Sequence, residues 1–236
     1  MTDLFSVPLR AVIFDMDGVL TDTIDYHYRT WQRLFDEENI PFNREQNEAL
    51  RGLSRLDSLN AVLGDRPISD AKKQEFLDRK NQYFHEFIEQ MDETALLPGI
   101  AHLLPEIKAA GLPMAVASAS QNVIKVCTQL GIADMFDAIA NVYDVPNSKP
   151  APDVFLHAAQ LIDVEPNACL VIEDGGSGIA AALAAGMRVL GLGSPEIVGA
   201  AHVVLPDLAG VTWADLRDRF ETPGVASSNV VSSVGR

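Results

Sequence analysis

Five short apolar runs constrain this chain more than any other feature, because none of them alternates with polar residues: AVIFD (11–15), MAVAS (114–118), CLVIE (169–173), RVLGLG (188–193) and HVVLP (202–206). A strand with one face in water reads as alternating apolar and polar residues, whereas a strand covered on both faces reads as a continuous run. The runs therefore predict parallel strands packed between helices. Segments 99–111, 122–131, 153–162 and 177–186 carry apolar residues at three- and four-residue spacing, and the first, second and fourth end in glycine, a common helix stop. Alternating strand and helix predicts an α/β fold with a Rossmann-like parallel-sheet core and right-handed crossovers.

From residue 23 to about residue 97 the pattern breaks. This stretch offers no comparable strand and is dense in charged, helix-forming sequence such as DAKKQEFLDRKNQYFHEFIEQM, so it reads as a small inserted α-helical cap domain. The expected division is a core of residues 1–22 and 98–220, a cap of residues 23–97 re-entering at Pro98 and Gly99, and a flexible tail of residues 221–236. The formal charge of −15 repels nucleic acid and acidic membrane surfaces, so an anionic substrate needs a few local cations. No apolar run approaches the roughly 18 residues that cross a bilayer. The N-terminal residues show no secretory pattern, which gives the expectation of a cytoplasmic protein, and nothing demands more than a monomer. Cys127 and Cys169 each lie in an apolar segment without a CxxC or Cys/His cluster, and read as buried thiols.

Ligands of open parallel sheets sit beyond the carboxyl ends of the strands, so the residues ending each run deserve inspection. The first run ends in Asp15 and Asp17, the second in Ser118, Ala119, Ser120 and Asn122, and the third in Glu173 and Asp174, with Lys149 supplied by NSKPAP. Hard carboxylate oxygens suit Mg²⁺, and a lysine with hydroxyls suits the remaining oxygens of a phosphate. Asp15 is placed to attack phosphorus and form an aspartyl phosphate, and Asp17 to act as general acid and base. Two carboxylates are needed because one must stay ionised while the other carries a proton. Gly18 lets the backbone turn sharply after them.

The segments FDMDGVLTDT, ASAS, SKPAPDVF and VIEDGGSGIAAALAAGM resemble, in order and spacing, the four motifs of the haloacid dehalogenase superfamily of phosphotransferases. Within it, the insertion is similar to that of the β-phosphoglucomutase family, through TDTIDYHYRTW, LRGLSRLDSL and RKNQY. The resemblance implies Asp15 as nucleophile and Asp17 as acid/base. It implies Mg²⁺ held by Asp15, the Asp17 carbonyl and Asp174, with Glu173 beside it. Ser118, Ala119 and Lys149 would bind the transferring phosphate, with Ser120 also on the substrate side. Arg55 would grip the distal phosphate of a bisphosphate, and Arg51, Gly52, Ser58, Lys80, Asn81 and Asn122 would line the sugar–phosphate pocket. The chain departs from the family at Arg51, where lysine is more usual, and at Gly175, where a polar residue is common.

Independent reasons support part of this cap set. Thr23, His27 and Trp31 recur every four residues and would form one stripe on a helix, with Thr23 and His27 placed to contact Asp17 and Trp31 offering a face to a sugar. Ser54 is a plausible helix N-cap with Asp57 three residues on, which puts Arg55 and Ser58 in the first turn. Without the resemblance, His27 and Trp31 read as cap core with a surface histidine, and Arg55 and Lys80 as solvated charges. His85, His102, His157 and His202 receive no functional role. The implied activity is interconversion of β-D-glucose 1-phosphate and glucose 6-phosphate through the 1,6-bisphosphate. A Mg²⁺-dependent sugar-phosphate phosphatase uses the same core motifs, and a non-catalytic sugar-phosphate sensor is the alternative of another class.

Overall fold

The computed structural model describes residues 4–50 and 53–221. The chain enters strand β1 (Ala11–Phe14) and leaves at once into four helices, α1 (Ile24–Glu37), α2 (Arg44–Glu48), α3 (Arg55–Leu63) and α4 (Asp70–Ile88). It then continues as α5 (Ile100–Ala109), β2 (Met114–Ser118), α6 (Val123–Gln129), β3 (Ala138–Asn141), α7 (Asp153–Leu161), β4 (Cys169–Glu173), α8 (Gly176–Ala184), β5 (Arg188–Leu192), α9 (Pro195–Val198), β6 (Val203–Leu205) and α10 (Trp213–Glu221). The six strands pair in the order β3-β2-β1-β4-β5-β6, every pair parallel.

The runs of β1, β2, β4 and β5 have the expected cause, being buried throughout, whereas HVVLP departs from the expectation: β6 is an edge strand in which only Val203 is buried. Along β1, Val12 and Phe14 join one core cluster with Met114, Val116, Leu170 and Ile172, while Ala11 and Ile13 join another with Ala115, Ala117, Cys169 and Val171. Successive side chains point to opposite faces, and both faces are covered. Each fully buried Val, Leu, Ile or Phe contributes roughly 1.5–3 kcal/mol, which offsets the entropy of ordering the sheet. Gly111, Gly131 and Gly186 follow helices with φ between +70° and +74°, the left-handed stop their spacing predicted.

Strand β3 was absent from the sequence reading. Its AIAN has one fully buried residue, Ala140, and lies at the sheet edge, so it lacks the long apolar run that burial on both faces imposes. Glu221, expected in the tail, is the last residue of α10 and its Oε1 accepts from Leu9 N at 2.7 Å; residues 222–236 lie outside the described residues. Cys127 and Cys169 are buried free thiols, whose removal from water pushes each up to about 12. Among the described residues no helix is long and apolar enough to cross a membrane.

The inserted helices bury a third apolar cluster of their own, including Trp31, Leu34, Phe35, Leu59, Phe76 and Tyr83, with α1 packed along α4. They stand at the carboxyl end of the sheet. There β1 is flanked by β2 and β4, so the chain's crossings to the two sides open a crevice at β1.

Candidate active site

The register of β1 and β4 brings the first and third polar endings together. Phe14 pairs with Ile172, and Asp15 N donates to the Ile172 carbonyl at 3.0 Å, so Asp15 emerges beside Glu173. Lys149, only 3% exposed, reaches between them: its Nζ donates to Asp15 Oδ1, to Glu173 Oε1 at 2.9 Å and to the Ala117 carbonyl at 3.3 Å. Those acceptors take all the protons an ammonium can donate. Burial pulls the ammonium down, but Asp15 and Glu173 outweigh it and hold Lys149 firmly protonated.

Two glycines shape the carboxylates. A Cβ on Gly18, which has φ +85°, would lie 2.0 Å from Asp174 Oδ2, and one on Gly178 would lie 1.5 Å from Glu173 Oε1. Only a bare backbone lets Asp174 and Glu173 sit where they do. Glu173 is further pinned by Gly175 N, which donates to its Oε2 at 2.6 Å. Asp17 accepts from Thr23 Oγ1, as the stripe on α1 predicted.

The insertion supplies the opposite wall. Ser54 Oγ accepts from Asp57 N and starts α3, so Arg55 and Ser58 fall in its first turn as expected. Arg55 Nη2 donates to Asn81 Oδ1 at 2.7 Å. Lys80, 2% exposed, lies over the rings of Phe84 and Trp31, and its Nζ is 2.7 Å from His27 Nδ1. His27 pairs with Lys80, which comes from α4, while Thr23 alone of the pair takes the expected bond to Asp17; Lys80 is a buried cation, far from a solvated one. Trp31 does line the cleft, and also stacks on Phe35 in the cap core.

The cleft encloses about 940 Å³ of empty space, open solvent included, and is lined by Asp15, Asp17, Lys149, Glu173 and Asp174 on one side and His27, Trp31, Arg55, Ser58 and Lys80 on the other. Ala119 and Ser120 line it too. Ser118 is buried behind them, where its Oγ accepts from Ser120 N at 3.0 Å, and Asn81 and Asn122 stand behind Arg55, joined by Asn122 Nδ2 to Asn81 Oδ1 at 3.0 Å. Arg51 and Gly52 lie outside the described residues. Asn47, Leu50, Leu53, Gln121, Tyr143 and Ser177 also line the cleft and were not singled out by the sequence; none is an ionisable carboxylate or cation, although Gln121 follows β2 and Tyr143 follows β3, which the strand-end argument could have found.

Charge is unbalanced in opposite senses across this cleft. On the sheet side, burial pushes the Asp15 carboxyl well up; Lys149 opposes this, but Glu173, Asp17 and Asp174 add to it. Asp17 is also raised, by burial, against its bond from Thr23. On the cap side, burial pulls Lys80 well down and Arg55 pulls it further, while burial, Lys80 and Arg55 together keep His27 neutral. Crowded carboxylates call for a divalent cation, and crowded cations for an anion. Among the described residues no three His, Cys, Asp or Glu side chains form a protein-only metal cage. Mg²⁺ needs none, being held by one or two carboxylates with water and substrate phosphate, so this hard-oxygen donor set fits it.

Acidic strand ends, a buried lysine between them and a helical insertion facing them are the arrangement of an enzyme active site. The family model for haloacid dehalogenase-like hydrolase matches residues 9–186, and the chain belongs to that family. It is 38% identical over 217 residues to the β-phosphoglucomutase of Bacillus subtilis strain 168, covering 90% of this chain and 96% of that protein. The crystal structure of β-phosphoglucomutase from Clostridium difficile matches with a TM-score of 0.87 at 35% identity, over 90% of this chain and 97% of that one. Hexitol phosphatase B of Escherichia coli K12 is 32% identical over 205 residues, 85% of this chain and 90% of that protein.

Proposed function

We propose that this chain is a phosphoglucomutase that interconverts β-D-glucose 1-phosphate and D-glucose 6-phosphate through β-D-glucose 1,6-bisphosphate, acting as a cytoplasmic monomer. In this reading residues 23–97 are a cap over a core of residues 1–22 and 98–220. The observation that carries it is the second cationic station: Arg55 and Lys80 face the Asp15 carboxylate across one cleft, at the cost of their own repulsion. A small monophosphate occupies one station, whereas a sugar bisphosphate neutralises both, and the likeness to two β-phosphoglucomutases over nearly their whole length supports this substrate.

The roles follow from chemistry. Asp15 attacks phosphorus as the nucleophile, with Lys149 favouring its ionised form and neutralising charge on the phosphoryl oxygens. Asp17, its carboxyl raised by burial, carries the proton that a leaving oxygen needs and takes it back from the attacking hydroxyl, oriented by Thr23. His27 stays neutral and holds Lys80. Ala119 and Ser120, set by Ser118, present a polar edge to the transferring phosphate, and Arg55, Ser58, Asn81 and Asn122 serve the distal one. Asp15, Asp174 and the Asp17 carbonyl, with Glu173 beside them, would hold Mg²⁺, which when bound supplies further neutralisation of the phosphoryl charge.

The 32% identity to hexitol phosphatase B keeps a second reading, a sugar-phosphate phosphatase in which water accepts the phosphoryl group from Asp15. The test supplies β-D-glucose 1-phosphate, Mg²⁺ and a trace of the 1,6-bisphosphate, and records glucose 6-phosphate and free phosphate together. Glucose 6-phosphate with little phosphate is the expected result. Phosphate released in step with substrate loss would overturn the mutase reading in favour of the phosphatase.

A further inference from the structure

Asn122 stands at the N-terminus of α6, where an asparagine side chain ordinarily accepts a bond from the first turn of its own helix. It makes no such bond here; its backbone lies at φ −96°, ψ 7°, and the side chain turns to α4 of the insertion. Its Nδ2 donates to Asn81 Oδ1 at 3.0 Å, and its Oδ1 lies 2.9 Å from His85 Nε2. With Oδ1 facing the ring, the imidazole must be the donor, from Nε2. Asn81 Oδ1 in turn accepts from Arg55. One turn beyond His85, at the C-terminal end of α4, Glu89 Oε1 pairs with Lys125 Nζ at 3.1 Å.

Asn81, His85 and Glu89 thus repeat every four residues along one side of α4, and meet Asn122 and Lys125, which are three apart on α6. This polar seam joins the insertion to the core.

We propose that His85 is a positioning residue that latches the cap shut: by donating to Asn122 it fixes the amide that orders Asn81 and, through Asn81, Arg55. Its consequence for chemistry rests on the mutase reading above. With the cap shut, the phosphoryl group on Asp15 passes to a sugar hydroxyl. The P–O bond to the sugar forms, the P–O bond to the Asp15 carboxyl breaks, and the hydroxyl proton goes to Asp17. With the cap open, water takes the sugar's place, its proton goes to Asp17, and inorganic phosphate leaves. His85 therefore sets the ratio of transfer to hydrolysis without touching the reacting atoms.

The experiment compares wild type, His85→Leu and His85→Gln, the last retaining a donor that reaches Asn122. Two readouts are taken: phosphate released per glucose 6-phosphate formed, and backbone hydrogen exchange over residues 81–89 and 120–126 in the resting enzyme. His85→Leu is expected to raise both by about three- to tenfold, the worth of one hydrogen bond in the closing equilibrium, while His85→Gln stays near wild type. Unchanged ratio and exchange in His85→Leu, or a folded His85→Gln that behaves like His85→Leu, overturns the latch. If wild type itself makes no glucose 6-phosphate, the mutase reading fails, and exchange decides the latch alone by the same comparison. Should His85→Leu not fold, Lys125→Ala, which removes the outer pair, is expected to move both readouts in the same direction by a smaller factor, and no movement refutes the latch.

Discussion

Replacing Gly178 by alanine sets two effects against each other. Inside a helix the change ordinarily stabilises by about 1 kcal/mol, and Gly178 is the third residue of α8. At this position the new Cβ lies 1.5 Å from Glu173 Oε1 and 2.0 Å from its Cδ, so the carboxylate must leave. It cannot leave cheaply, because it accepts from Lys149 Nζ at 2.9 Å and Gly175 N at 2.6 Å. Charge-assisted bonds contribute about 1.5–3 kcal/mol each, so losing both, less the helix gain and some rescue by water from the cleft, predicts a net loss of about 2–4 kcal/mol. For a chain of this size that lowers Tm by about 5–15 °C, measurable by circular dichroism. Turnover falls with it, by about 10²-fold, because Lys149 is left to Asp15 and shifts within the site. The control is the Glu173→Ala background, where the clash is gone and Gly178→Ala regains its roughly 1 kcal/mol, a double-mutant coupling of about 3–5 kcal/mol. Gly178→Ala as stable as wild type, or equally destabilising in both backgrounds, would refute the argument that the glycine exists to seat Glu173.

Asp15→Asn is expected to cut turnover of any phosphate ester at least ~10³-fold while the far-ultraviolet spectrum is retained; residual turnover within tenfold of wild type excludes Asp15 as nucleophile. His27 gives a pH dependence: its folded pKa is held well below the unfolded value of about 6.5, so the unfolded chain binds the proton more tightly and stability is lost as pH falls below about 6.5. The slope is up to about 1.4 kcal/mol per pH unit until the folded pKa is reached. Urea midpoints at pH 7 and pH 5 should therefore converge in His27→Gln relative to wild type, and equal slopes in the two proteins would rule the argument out. Removing Mg²⁺ with EDTA is expected to lower Tm by about 3–6 °C from its value at tenfold excess over Kd, which corresponds to about 1.4 kcal/mol of linkage. Asp174→Ala should abolish that difference, and its persistence would place the ion elsewhere.

Much of this architecture was readable from local composition. Burial on both faces writes itself into a strand as an unbroken apolar run, which is why β1, β2, β4 and β5 were legible; the two edge strands have one buried residue each, and of these β6 was legible through its apolar VVL while β3 was not. Helix stops at Gly111, Gly131 and Gly186, and the Ser54 cap that sets Arg55 and Ser58, are likewise local, depending on one residue's backbone freedom or side-chain reach. The carboxylates at strand ends were visible because a parallel sheet delivers its strand termini to one edge.

Pairing was not visible. His27 was expected on Asp17 and meets Lys80 instead; Lys80, by its residues alone a solvated charge, is almost wholly enclosed; His85 carried no signal, yet joins α4 to α6. In each case the deciding neighbour comes from a distant part of the chain, and its distance and the water it excludes set the charge state and the bond. One chain segment can dictate which side chains it presents, but only the packed assembly dictates what they meet.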